Sequence, residues 1–169
     1  MTKRLFLLFL GILVVCMLSS CQQSETSHLF SFREQTFRAE ITGTLYGTHF
    51  SAELGQTEAS GERLLYVTYL SPPALEGVTI ERKQNGTCRL HRGEIDTPVE
   101  EERTIGLLAP LSLLFGSEEI VRIQKTNGET ALFLGSGASL FLDGNGIPLR
   151  ATSADAELTT VWWETATTK

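Results

Sequence analysis

Residues 75–91 read Leu75-Glu76-Gly77-Val78-Thr79-Ile80-Glu81-Arg82-Lys83-Gln84-Asn85-Gly86-Thr87-Cys88-Arg89-Leu90-His91. Apolar and polar residues alternate from Leu75 to Arg82, the period of a strand with one buried face. Asn85-Gly86 follows, the dipeptide that best tolerates the two positive-φ positions of a tight hairpin turn. Thr87 to His91 then forms the returning strand. One antiparallel hairpin is therefore written into this stretch.

The same device recurs on both sides. Asn127-Gly128 separates residues 119–124 from 130–134, and Asp143-Gly144-Asn145-Gly146 separates 139–142 from 147–150. Upstream, residues 37–42 and 49–54 read as two strands, with Gly43 and Gly47 bracketing their turn. Residues 63–71 are rich in β-branched and aromatic side chains and end at Pro72-Pro73. Residues 158–164 make a last strand, in which Trp162 and Trp163 must face opposite sides. Strands at this spacing with glycine turns predict an antiparallel, β-dominated domain.

One segment departs from the rhythm. Asp96-Thr97-Pro98-Val99-Glu100-Glu101-Glu102 reads as a helix start, with Thr97 as cap, Pro98 at the first position and acids in the first turn. Pro110 reads as opening one or two helical turns to Phe115, apolar almost all round. Leu107, Leu108, Leu111, Leu113, Leu114 and Phe115 are the candidate lining of an apolar site, or simply a filled core. A short apolar helix against a meandering sheet is an α+β arrangement.

The chain begins MTKRLFLLFLGILVVCMLSSC. Lys3 and Arg4 precede an apolar run at residues 5–18, and Leu18-Ser19-Ser20-Cys21 closes it. This resembles the bacterial lipobox, in which the thiol receives diacylglycerol and the chain is cut just before it. The apolar run fits the roughly 7–15 residues of a secretory signal better than the ~20 of a membrane span. A secretory signal without lipid is the other alternative. On the lipobox reading residues 1–20 are a signal peptide that carries Cys16 away. Residues 21–35 are then the lipidated Cys21 and a tether containing His28, 36–164 the domain, and 165–169 a tail. Two or more acyl chains on Cys21 hold a protein stably at the extracytoplasmic face of a membrane, whereas one binds reversibly.

Removing residues 1–20 leaves 149 residues, one domain's worth. Without Lys3 and Arg4, 12 basic residues face 20 acidic ones, a net charge of −8. That balance argues against nucleic acid and against electrostatic adhesion to anionic lipid. Cys88 remains as one thiol, so no intrachain disulfide can form, and a buried apolar role suits it.

The order of elements resembles the superfamily of bacterial lipoprotein-carrier proteins and mycobacterial lipid-carrying lipoproteins. The resemblance is carried by the lipobox, by residues 69–80 (YLSPPALEGVTI), by the apolar plug at 110–115, and by the late hairpin at 140–149 with its proline. Residues 157–162 match the closing strand. What it implies is a half-open antiparallel barrel with a short apolar helix on its concave face, and a carrier or accessory role. One departure stands out: residues 22–35 are too short and polar for the long amphipathic helix that opens many members.

Catalytic chemistry is not legible. Cys88 and His91 are three apart on a strand and point to opposite faces, so they cannot share a metal. His49 has Glu53 as its nearest acidic neighbour. Gly135-Ser136-Gly137-Ala138-Ser139 fits neither a nucleophile elbow nor a phosphate loop, and Asp143-Gly144-Asn145-Gly146 lacks the ordered ligand series of a calcium loop. Glu100-Glu101-Glu102 reads as a solvated helix start. Asn85-Gly86-Thr87 matches a glycosylation pattern but is accounted for as a turn. The sequence thus points to a non-enzymatic lipoprotein without cofactor or metal. It would bind an apolar or lipid ligand at Leu107, Leu108, Leu111, Leu114 and Phe115, or dock another envelope protein through a strand edge or an exposed tryptophan.

Overall fold

The computed structural model describes residues 29–59 and 61–165. The signal, Cys21, the tether to residue 28 and the last four residues lie outside the described residues. The chain divides into two compact units, Met1–Glu34 and Gln35–Lys169. The described part of the first contains a 3-10 turn at Ser31–Glu34, with the Arg33 guanidinium 3.9 Å over the Phe30 ring.

The described part of the second unit is one eleven-stranded antiparallel sheet and one helix. The first six strands are β1 (Phe37–Leu45), β2 (Thr48–Ala59), β3 (Glu62–Ser71), β4 (Thr79–Lys83), β5 (Cys88–Arg92) and β6 (Ile95–Val99). Helix α1 spans Glu101–Phe115. Then come β7 (Ile120–Thr126), β8 (Glu129–Leu134), β9 (Ser139–Leu142), β10 (Pro148–Thr152) and β11 (Ala156–Thr165). Their spatial order is β6-β5-β4-β3-β2-β1-β11-β10-β9-β8-β7. Two meanders therefore meet at the β1–β11 seam, and α1 is the one connection between the two outer edges.

That topology forces curvature. Laid flat, eleven strands at about 4.8 Å spacing would be ~48 Å wide. A fifteen-residue helix is ~22 Å long at about 1.5 Å per residue. The few extended residues flanking it add ~15 Å at roughly 3.5 Å each. The link cannot span a flat sheet, so the sheet curls around its own crossover helix. The expected half-open barrel with a helix on one face is what the chain adopts.

Turn chemistry places the strands as the sequence indicated. Asn127 and Gly128 both take positive φ, 46° and 85°, which the β7–β8 hairpin requires. Asp143 Oδ1 accepts from the backbone N–H groups of Asn145 and Ile147 at 2.8 Å each, closing the β9–β10 turn. Gly43 lies inside β1 rather than at a turn. A Cβ there would sit 1.9 Å from the Glu157 carbonyl oxygen, so β1 can approach β11 only because residue 43 is glycine.

Three expectations need correction. Residues 96–99 are strand β6, not a helix start: Val99 pairs with Cys88 and Pro98 with Arg89. Proline is acceptable there because β6 is an edge strand. The helix begins later, behind Glu100, whose side chain makes no cap hydrogen bond. Pro110 lies within α1 instead of opening it. A mid-helix proline costs roughly 3 kcal/mol or more by removing a hydrogen bond and crowding the preceding turn. Burial of Leu108, Leu111 and Leu114 offsets that at roughly 1.5–3 kcal/mol per side chain. Finally, β4 begins at Thr79. Residues 72–77 turn instead, with Leu75 donating to the Pro72 carbonyl and Gly77 to that of Tyr69, both at 2.9 Å.

Candidate functional site

Alternation along the strands sorts the sheet into two faces. Ile41, Leu54, Val67, Ile80, Leu140 and Leu158 point to the face that α1 covers, each 0–1% exposed. Of the helix residues singled out in the sequence, Leu108, Leu111 and Leu114 are 0–2% exposed, so water scarcely reaches them. Leu107, Leu113 and Phe115 are half-buried. The Tyr69 hydroxyl donates to the Leu107 carbonyl at 2.8 Å, tying β3 to the helix. Burial pushes that phenol far above its ordinary range. At the other end of α1 the Phe37 ring stacks on Phe115 at 5.4 Å and on Trp163 at 4.2 Å. The helix is thus seated on the sheet by one polar contact and an aromatic stack. Cys88 also lies on this face, buried, its thiol pushed up chiefly by desolvation.

The outer face is polar and cross-linked. Arg38 pairs with Glu53, whose carboxyl also accepts from the Tyr66 hydroxyl at 3.1 Å. Hydrogen bonding from Arg38 holds Glu53 below the usual carboxylate range. Trp162, facing away from Trp163 as its position requires, donates from Nε1 to Glu40 at 2.9 Å. Further along, Asp96 is held by Arg89 through two contacts, Nε at 3.0 Å and Nη2 at 2.7 Å. His91 sits between carboxylates, 3.1 Å from Glu81 and 3.3 Å from Asp96. Cys88 and His91 therefore occupy opposite faces.

Two open grooves follow Gly43. One, of about 420 Å³, is lined by Thr42, His49, Ser51, Ser71 and Glu157 among others; its neighbour, about 330 Å³, includes Tyr46 and Asp155. The Ser51 and Ser71 hydroxyls bond to each other at 2.8 Å. Among the described residues no hydrogen bond joins His49 to either serine, so neither has a base at hand. Among the described residues no group of three His, Cys, Asp or Glu side chains is placed to hold a metal. Nor is any described helix long and apolar enough to cross a membrane.

Exposed apolar side chains include Tyr46 in the β1–β2 turn and Val161 on the central strand β11, and both sheet edges carry them as well. Ile95 on β6 is 60% exposed and Val121 on β7 is 62% exposed; Ile123, also on β7, is exposed too. Sequence reasoning missed β6 and so could not place either edge. The usable signal was Gly93 between Arg92 and Ile95, a hairpin turn obscured by the helix-like Thr-Pro that follows.

No protein-family model and no curated protein matches this sequence. The geometry is that of an open antiparallel half-barrel folded around its crossover helix, and solved structures of that class match it. An uncharacterized conserved protein from Thermus thermophilus superposes with a TM-score of 0.56 at 16% identity, over 88% of this chain and 90% of that one. MucB superposes with a TM-score of 0.54 at 14% identity, over 87% of this chain. The chain spans 59% of the length of MucB. A putative outer membrane lipoprotein-sorting protein domain from Vibrio parahaemolyticus is a more distant likeness, at a TM-score of 0.47 and 11% identity over 79% of this chain and 86% of that one. At these identities the likeness is one of fold.

Proposed function

We propose that this chain is a lipid-anchored, extracytoplasmic binding protein without catalytic activity, and that its occupant is a segment of another envelope protein. Acyl chains on Cys21 hold it at the membrane, and residues 22–35 tether the domain. The observation that carries the reading is how apolar surface is distributed. The face that would cradle an acyl chain is taken by the chain's own helix, with Leu108, Leu111 and Leu114 at 0–2% exposure, while Val121 and Ile123 stand open at a sheet edge. MucB has been solved in complex with MucA, so a protein of this fold can hold a protein partner. The acidic balance and the polar outer face keep the domain off anionic lipid, leaving membrane affinity to the anchor.

Two measurements test this. Labelled palmitate should enter the wild-type chain and not Cys21→Ala, which should leave the membrane fraction for the soluble one. A native mass spectrum of residues 22–169, with solvent extraction, should show the bare polypeptide mass. Near-stoichiometric acyl species would overturn the protein-partner reading and return the helix residues Leu107, Leu108, Leu111, Leu114 and Phe115 to the role of ligand contacts.

A further inference from the structure

Strands β6 and β7 each pair with one neighbour, leaving a second row of backbone donors and acceptors that no described strand uses. Such a row is a template for another strand, and proteins usually block it. β6 is blocked. Pro98 removes a donor and sets a ring on the rim, and its acid Asp96 is already neutralised by Arg89.

β7 is different. Its seven residues, Ile120 to Thr126, contain no proline, and pairing with β8 runs unbroken from Arg122 to Thr126. A bulge at Val121 turns one additional apolar side chain outward. Two cations lie on this strand, Arg122 on the outer face and Lys125 on the helix-covered face, and no anion. Among the described residues neither has a carboxylate within 4.0 Å, a state they share with Arg63 and Arg92, whereas Arg38, Arg82, Lys83, Arg89 and Arg150 all do. The Arg122 guanidinium is ordered by stacking 3.9 Å over Phe133, so fixing it against an incoming acid loses little side-chain freedom. In a chain of net charge −6 this is an unneutralised positive rim.

The same cations discourage self-pairing. Two β7 strands set antiparallel about Arg122, or about Lys125, would oppose like charges across the new ladder. A charge that repels a second copy selects a complementary strand.

We propose that β7 receives an extended, acidic protein segment, which joins the sheet as a twelfth strand with its acids against Arg122 and Lys125. This rests on the protein-partner reading above and names the surface and chemistry of that partner. Backbone hydrogen bonds supply the affinity, Val121 and Ile123 the apolar contacts, and the two cations the choice.

The test uses the mature lipidated chain in detergent with a defined probe, an eight-residue valine- and threonine-rich peptide with two glutamates three residues apart, so that one faces each side of the sheet, and its counterpart with lysines in their place. Hydrogen exchange should slow at residues 120–126 with the acidic peptide only, and remain unchanged at 95–99. Arg122→Glu with Lys125→Glu should weaken the acidic peptide at least tenfold and gain the basic one. Should that variant not fold, wild-type affinity for the acidic peptide should still fall severalfold between low and ~0.5 M salt, because such exposed pairs are screened. Absence of protection at 120–126, or equal protection by both peptides, overturns the proposal. The native mass spectrum decides the broader reading separately: a bare mass with an unprotected β7 leaves a partner docking elsewhere, whereas bound acyl species remove the partner reading itself.

Discussion

The two ends of this sheet each leave one apolar side chain exposed to the same degree and are nonetheless opposites. Ile95 on β6 and Val121 on β7 differ by only two percentage points in exposure. What separates the edges is backbone and charge: β6 carries Pro98 and a fully paired Arg89–Asp96 fork, β7 an unbroken ladder and two cations without a carboxylate among the described residues. Exposure alone therefore does not mark a binding edge. A row of free peptide groups that nothing blocks, with a charge that nothing neutralises, does.

The largest effect should come from what holds both edges in place. α1 is the one connection between β6 and β7, so Leu111→Ala should destabilise the whole domain by about 2–5 kcal/mol. Chemical denaturation followed at both edges should show one shared, lowered midpoint. Separate transitions would mean that the two meanders are independent. Next, unblocking β6 should make it resemble β7. Asp96→Val combined with Pro98→Val should self-associate by light scattering at concentrations where wild type stays monomeric, and unchanged scattering would remove the blocking role of Pro98. Tyr69→Phe deletes the hydrogen bond to Leu107 and should cost about 0.5–1.5 kcal/mol, read from the denaturation midpoint. A neutral result would show that aromatic and leucine packing seats α1 unaided.

The smallest effect is a titration at the closed edge. The Arg89 guanidinium beside Asp96 holds that carboxyl below the usual range. A lowered folded-state value means the pairing contributes above the ordinary carboxylate pKa, near 3.9, and is lost as pH falls through the folded one. By NMR, Arg89→Gln should move the Asp96 midpoint up toward its ordinary value and leave that of Glu53, held by Arg38, unmoved. A shift at both would mean the outer-face charges form one coupled network.

Much of this architecture was legible because local chemistry wrote it. Asn85-Gly86, Asn127-Gly128 and Asp143-Gly144-Asn145-Gly146 fixed three hairpins, and alternation placed Cys88 inside, His91 outside and the tryptophans apart. What failed were segments whose local signals contradict their tertiary setting. Thr97-Pro98 carries the chemistry of a helix start, yet pairing with β5 makes it a strand, and only its place at the edge lets a proline stay. Pro110 should end a helix, but three leucines buried on the sheet outweigh it. The edge identity of β7 was invisible locally, since it follows from α1 carrying the chain across the whole sheet. Of the candidate site, Leu107, Leu108, Leu111, Leu114 and Phe115 do share one helix, three against the sheet and two at its margin. Arg122 and Lys125 gave no sequence signal, because an unpaired cation is defined by what does not lie next to it.

The most direct test is photo-crosslinking in the intact envelope, with benzoylphenylalanine placed at Val121 in one strain and at Ile95 in another. The account predicts that position 121 captures one protein, through an extended segment bearing acids on both of its faces, and that Arg122→Glu with Lys125→Glu abolishes the adduct while position 95 yields none. Equal capture at both positions, adducts indifferent to the charge reversal, or capture of lipid alone would contradict it.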